Sequence, residues 1–262
     1  MKYFKLFALT VFIILVFVII STLYNDNYRI RLVENNLRVL DDATDDFYGL
    51  KIVQFSDTLF ANGTDTKDIE FIANFINDTR PDILLFNGNL LKSDISNELK
   101  ETIINELSRI NTSVIKLAIT STDEPEQSIE ILTESGFEIL NDKVLPVYFG
   151  NNIQYINFLG FSGTENDIEI PNSDAPLFAV IHNPQIFNQL QEIGPKVVWA
   201  GGVHNHFNIP FTHLFRSGDR GYSAGMFNRG DQVLLINNGL GTDDLRLFSP
   251  RTINMYRLLD ER

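Results

Sequence analysis

Between residues 50 and 136 the chain changes hydrophobic period again and again, and each change falls on polar or turn-forming residues. Residues 50–55 form a short apolar run that stops at Ser56-Asp57. Ile69, Ile72, Ala73 and Ile76 then share one face of a helix that Asp65 or Thr66 can cap. Residues 83–86 read as a buried strand running into Asn87-Gly88-Asn89, and a second helix covers about 94–110 with Ile95, Leu99, Ile103 and Leu107 as its stripe. A third strand, 114–119, ends in Thr120-Ser121-Thr122-Asp123; Pro125 suits the first turn of a third helix and Gly136 its C-terminal cap. Three strand–helix units in a row admit few folds, because right-handed crossovers lay their strands side by side in a largely parallel sheet. From Lys143 the pattern turns to successive strands at 145–149, 153–159 and 177–181, then a helix at 185–193 and strands at 197–200, 232–236 and 253–258. Sheet upon sheet with helices outside is the packing this order predicts.

Ahead of this body, residues 6–23 are apolar or small without a single charge, interrupted only by Thr10, Ser21 and Thr22. About 20 such residues span a bilayer as a helix. A secretory leader would have a shorter apolar core and a small-x-small cleavage site, and neither is evident after Ile20. The expectation is one uncleaved transmembrane helix within 1–24, a polar connector over 25–48 and a single domain over 49–262. Lys2 and Lys5 favour an inside N-terminus, weakened by Arg29 and Arg31 on the other flank, so the body is expected to be extracytoplasmic.

A formal net charge of −13 over 262 residues excludes the basic stripe that nucleic acid requires and is read as a solvated acidic face. The lack of cysteine removes disulfides, thiolate metal sites and cysteine nucleophiles. Histidines number four, His182, His204, His206 and His213, with three in one short stretch.

In open α/β sheets, ligands gather where the carboxyl ends of the strands meet their loops. In this chain those ends carry Asp57, Asn89, the stretch from Ser121 to Asp123, His182 and the region of His204. Any one of them could be an ordinary polar turn residue; five in order are harder to dismiss.

Their order resembles the calcineurin-like metallophosphoesterases, in particular the membrane-associated bacterial branch. That family presents Asp-x-His, Gly-Asp, Gly-Asn-His-Asp, a lone His before Pro, and Gly-His-x-His. The corresponding stretches run from Leu50 to Asp57, from Arg80 through Gly88-Asn89, from Phe178 through His182-Asn-Pro184, and from Val197 to His204. Tyr222-Ser-Ala-Gly225 and the segment from Leu235 through Gly239-Leu-Gly241 resemble the close of the same branch. The resemblance covers about residues 50–258. It implies an α/β fold, the metallophosphoesterase-type double β-sheet sandwich flanked by helices, here preceded by the transmembrane helix.

The same resemblance implies two divalent ions bridged by a carboxylate, with a water activated between them. Such ions need anionic oxygen and imidazole ligands. Asp57 matches the first aspartate and His182 the lone histidine. The histidine expected two residues after Asp57 is Leu59, the bridging aspartate is Asn89, the asparagine of the third motif is Ser121, and the histidine beside it is Thr122, although Asp123 remains. Aligned without a gap, the last motif has Gly202 for its first histidine and His204 for its second; shifted by two residues, His204 and His206 supply both. His206 and His213 can equally be surface or capping residues. The expected function is therefore a pseudoenzyme, a binding or scaffold domain at the membrane. The alternative is a divergent metal-dependent phosphohydrolase acting on a phosphodiester or phosphomonoester near the bilayer, using one rebuilt Zn²⁺ or Mn²⁺ site from Asp57, His182, His204 and His206.

Overall fold

A computed structural model describes residues 2–40, 46–150, 154–163, 168–203, 222–241 and 246–260. Helix α1 (Lys2–Tyr28) leads directly into strand β1 (Ile30–Leu40). Then β2 (Lys51–Phe55), α2 (Thr66–Thr79), β3 (Ile83–Asn87), α3 (Asn97–Ser108), β4 (Ile115–Ile119), α4 (Glu126–Glu134) and β5 (Phe137–Ile139) come in alternation. The second half holds β6 (Lys143–Tyr148), β7 (Tyr155–Gly160), β8 (Leu177–Ile181), β9 (Val197–Ala200), β10 (Gly225–Arg229), β11 (Gln232–Ile236) and β12 (Arg251–Asp260).

Two six-stranded sheets result, ordered β1-β12-β2-β3-β4-β5 and β10-β11-β9-β8-β7-β6. Strands β2 to β5 run parallel, as the strand–helix alternation predicts, while β12 enters antiparallel to β2 and carries β1 on its other edge. In the second sheet β7, β8, β9 and β11 are parallel, with β6 and β10 antiparallel at the edges.

Strand parity sorts the apolar residues into three layers. Ile52, Ile83, Leu85, Leu117 and Leu258 of the first sheet face Phe158, Phe178, Val180, Val197, Trp199 and Leu235 of the second across the central core. Val53, Phe55, Leu84, Phe86 and Ala118 point the other way, onto the stripes of α2 and α3 and onto Ile131 and Leu132 of α4. Ala179, Ile181, Val198, Ala200, Leu234 and Ile236 form the outer face of the second sheet with Phe187 and Leu190.

The capping chemistry is as local as the sequence suggests. The Asp65 side chain accepts from Lys67 N at 3.0 Å and starts α2. Gly136 takes φ +83° just past α4, and Pro125 stands one residue earlier than expected, as the N-cap.

Three expectations need correction. The 25–48 stretch is no mere connector: it holds β1, an eleven-residue strand parallel to β12 with a register shift between Arg38 and Leu40, its alternation hidden by Glu34, Asn35 and Asn36. The helix expected over 185–193 is a 3-10 helix, Pro184–Leu190, because only a short span separates the Asn183 cap from the turn at Gly194 and the tighter winding covers it. Strands β5 and β10, both edge strands, lack the apolar run that marks the others.

Helix α1 is long and apolar enough to cross a membrane, and its apolar stretch is not covered by the rest of the protein. Its last turn, by contrast, is fastened to the domain. Asn27 Oδ1 accepts from Arg246 N and its Nδ2 donates to Arg246 O, each at 2.9 Å, while the buried Asp26 accepts from Ser249 N at 2.9 Å.

Candidate functional site

The carboxyl ends of β2 and β3 are joined by a short ladder of loop hydrogen bonds. Asp57 N donates to Gly88 O at 2.9 Å, Leu59 N to Asn89 O at 3.1 Å and Phe60 N to Leu90 O at 2.8 Å. To run side by side in this way, Asp57, Leu59 and Asn89 adopt left-handed backbone, φ 51°, 52° and 60°. The region costs an L-residue about 1–2 kcal/mol, and least for Asp and Asn, so the leucine is the odd member. Strain of this kind persists only where surrounding structure imposes it, and it clusters at functional rims.

Glu124 completes the frame. Its carboxylate accepts from Asn89 N at 2.9 Å, from Ser121 N at 3.0 Å and from Leu90 N. Nothing in the sequence singles out this residue: as an acid just before Pro125 it looks like ordinary helix-start chemistry, and no spacing reveals that it clasps the loop after β3 to its own. Thr122 and Asp123 beside it are exposed on the turn.

Within this frame the Asp57 carboxylate is buried and receives three donors from described residues. Ser56 Oγ donates to its Oδ2 at 2.6 Å, Gly202 N to the same oxygen at 3.0 Å, and Asn89 Nδ2 to its Oδ1 at 2.9 Å. Asn89 is oriented in turn by Ser121, whose hydroxyl donates to Asn89 Oδ1 at 2.7 Å. Ser121, Asn89 and Asp57 thus form a chain of hydrogen bonds ending on a carboxylate.

On the far side of Gly202 lies His182. Its Nδ1 is 2.7 Å from Asn87 O, and because a carbonyl only accepts, the proton sits on Nδ1 and leaves Nε2 with its lone pair. Glycine is required around this ring. A Cβ on Gly88 (φ +83°) would stand 2.7 Å from His182 Nδ1, and one on Gly202 (φ +65°) 3.0 Å from Nε2. Asp57, Asn89, Ser121, His182, Leu59 and Gly202 therefore meet at one rim, while His204, His206 and His213 lie outside the described residues.

A floor of buried amides lies beneath the rim, also unseen in the sequence. Asn87 Nδ2 donates to Ile181 O at 2.8 Å and Trp199 O at 2.9 Å, and Gln54 Nε2 donates to Asn87 Oδ1 at 3.0 Å and Ala200 O at 2.9 Å. Tyr256 OH donates to Gln54 Oε1 at 3.0 Å and accepts from Asn254. Burial pushes the Tyr256 phenol well above its usual 10.0, against a smaller opposing effect of the Asn254 hydrogen bond. These bonds tie the ends of β8 and β9 to β2 and β3, so the rim rests on a cross-linked base.

The metallophosphoesterase chemistry implies divalent ions, and the described residues do not fit a two-metal centre. Among them no group of three or more His, Cys, Asp or Glu side chains is placed to hold a metal ion. Among the described residues, the groups bonded to the Asp57 carboxylate are an amide N–H, a hydroxyl and a backbone N–H. That donor set is suited to satisfying an anion, whereas a bridged cation pair needs shared negative charge.

No family model matches the chain. A Bacillus subtilis (strain 168) protein described as the uncharacterized metallophosphoesterase YkuE is 22% identical over 215 residues, covering 77% of this chain and 75% of that protein. Among solved structures, TT1561 of Thermus thermophilus superposes with a TM-score of 0.47 at 11% identity, covering 73% of this chain and 90% of that one. The succession of rim positions on the strand ends and the similarity to the Bacillus protein both support the resemblance to the calcineurin-like metallophosphoesterases.

Proposed function

We propose that the chain is a membrane-anchored pseudoenzyme, a metallophosphoesterase-fold domain that binds or scaffolds at the bilayer surface instead of hydrolysing a phosphoester. The observation that carries this reading is the Asn89 amide donating to Asp57 at 2.9 Å from the position where the family has a bridging carboxylate. An amide there contributes a proton where the two-metal mechanism needs a negative charge. Leu59, Ser121 and Gly202 remove further ligands from the same rim, and no second-shell contact restores such a loss. The net charge of −13 argues for partners other than nucleic acid.

Anchoring is supported by α1 and by the aromatic and basic residues at its C-terminal end. Tyr24 and Tyr28 lie with ring centres 5.4 Å apart and planes tilted by 33°, and Arg29 lies 6.0 Å over Tyr24, a pairing suited to the bilayer interface. With Lys2 and Lys5 ahead of the apolar run of α1, an extracytoplasmic body is the favoured sidedness.

His182 favours one alternative. With Nδ1 donating to a backbone carbonyl, its Nε2 is oriented as metal-bound histidines are, so a single Zn²⁺ or Mn²⁺ on Asp57, His182 and His204 would make the chain a divergent phosphohydrolase.

The full chain purified in detergent with Mn²⁺ and Zn²⁺ supplied separates the two. The expected result is no bound metal and no turnover of bis-p-nitrophenyl phosphate, with turnover appearing when Leu59→His, Asn89→Asp and Ser121→Asn are combined. Gly202→His is left out of that set, since the side chain would need left-handed backbone and would meet His182. Stoichiometric metal in the unaltered chain, with turnover abolished by Asp57→Ala, would overturn the proposal in favour of the hydrolase.

A further inference from the structure

The odd positions of β1 and the even positions of β12 face the second sheet, and they begin as core and then cease to be. Leu37 and Val39 of β1 and Leu258 of β12 fill the space between the sheets. Nearer the end where α1 enters, the same inward faces present Val33, Asn35, Thr252 and Asn254 instead, paired Val33 with Asn254 and Asn35 with Tyr256. Core that stops short leaves a cleft of about 320 Å³ between the β1–β12 and β10–β11 edges of the two sheets. Its volume lies within the range of small-molecule sites.

The chemistry of its walls is uniform in one respect. Among the described residues no Asp, Glu, Lys, Arg or His lines it, although the chain as a whole is 21% charged. The polar groups are amides and hydroxyls, and two of the amides are underused. Asn35 makes no side-chain hydrogen bond among the described residues, and Asn254 spends only its Nδ2, on Tyr256 OH at 3.0 Å. Phe248 supplies an aromatic ring in left-handed backbone, φ 56°, where a bulky residue is an outlier. Its loop is held there by the anchor, through Asp26 to Ser249 N and Asn27 to Arg246.

We propose that this cleft is a second binding site, separate from the Asp57 rim, for a neutral polyhydroxylated group: a sugar ring, either free or as the headgroup of a glycolipid. A charged ligand would find no counter-charge in these walls and would lose its hydration without recompense. An amide offers two donors and an acceptor, which matches vicinal hydroxyls, and an aromatic ring offers a surface to the apolar face of a sugar. The cleft's position beside the last turn of α1 puts it where headgroups are within reach. The site stands independently of whether the rim hydrolyses anything.

The test uses the full chain in phosphatidylcholine nanodiscs, with methyl glucoside as the soluble probe and discs containing glucosyldiacylglycerol as the lipid-borne one. Saturation-transfer NMR reads the first and the rise in Tm the second. Asn35→Leu removes an amide that stabilises nothing in the fold, and Val33→Trp fills the cleft from a strand edge where the side chain is 38% exposed. The expected result is binding of at least one probe, weakened about five- to tenfold by Asn35→Leu, the value of a lost neutral hydrogen bond pair, and abolished by Val33→Trp. Response to both probes marks the sugar itself as the ligand; response to the glycolipid alone marks the bilayer as its source. Binding of neither probe, binding unchanged in Val33→Trp, or an equal Tm rise in discs carrying phosphatidylglycerol instead would overturn the proposal.

Discussion

Replacing Asn89 by aspartate asks the rim directly whether it is built around hydrogen bonds or around cations. In the native chain the Asn89 amide donates to Asp57 Oδ1 at 2.9 Å, and a hydrogen bond to an ionised partner contributes about 1.5–3 kcal/mol. Asn89→Asp removes that donor and sets a second carboxylate about 3 Å from the first. At an effective dielectric of about 20 the repulsion approaches 5 kcal/mol before relaxation and screening at this partly open rim reduce it. Together the two effects are expected to destabilise the variant by about 3–5 kcal/mol at pH 8 without metal, a large part of the stability of an ordinary domain. Lowering the pH protonates one member of the pair and lets it donate to the other, so the deficit shrinks toward pH 5. Mn²⁺ at about 100 times its dissociation constant would return about 2.7 kcal/mol. Urea unfolding of the full chain in detergent at both pH values, with and without Mn²⁺, measures all three effects. A variant as stable as the native chain at pH 8 without metal would refute the hydrogen-bonded rim, because the donor–carboxylate contact it depends on would then contribute nothing.

Three further expectations concern the frame. Gly201→Ala would place a Cβ 2.6 Å from Asn87 O and 2.8 Å from Ser56 Cβ; with rigid strand ends on both sides, a loss of about 1–3 kcal/mol or more in urea unfolding is expected. Asn27→Ala breaks the reciprocal pair with Arg246, and hydrogen exchange at residues 246–249 should accelerate while that in α2 and α3 stays unchanged. Lys116, whose ammonium donates to Leu107 O and Ser135 O at the ends of α3 and α4, is held below the usual lysine value of 10.5 by burial. Between the lowered value and 10.5 the unfolded chain binds a proton that the folded chain does not, so stability rises with pH over that window, and Lys116→Met should flatten the rise in unfolding experiments.

What could be read from the sequence was whatever is local or periodic. Short apolar runs located β2, β3 and β4, the 3.6-residue period gave the stripes of α2 and α3, and Pro125 and Gly136 marked the ends of α4. Asp57, Asn89, Ser121 and His182 were legible as rim residues for a related reason: each directly follows an apolar strand or its first turn, and parallel strands carry such ends to one side. Strand β1 escaped notice because half its inward face lines a cleft, so the polar residues there interrupt the very alternation by which a strand is recognised.

Contacts between segments distant in the chain could only come from the tertiary structure. Glu124 clasps a loop some thirty-five residues away, and Asn87 and Gln54 satisfy carbonyls on strands about a hundred or more residues later. Asp26 and Asn27 at the end of α1 bond to a loop more than two hundred residues along the chain. Hydrogen bonds of this kind depend on distance and direction between groups whose sequence separation carries no periodic signal. The sequence by itself determined the apolar helix, the order of the strands and helices that carry the rim, and which rim positions lack a charge. Packing of the two sheets decided that the Asn89 amide would satisfy Asp57, that Gly202 would abut His182, and that the core would end early beside the last turn of α1, because each outcome is set by which side chains the folded backbone brings within about 3 Å of one another.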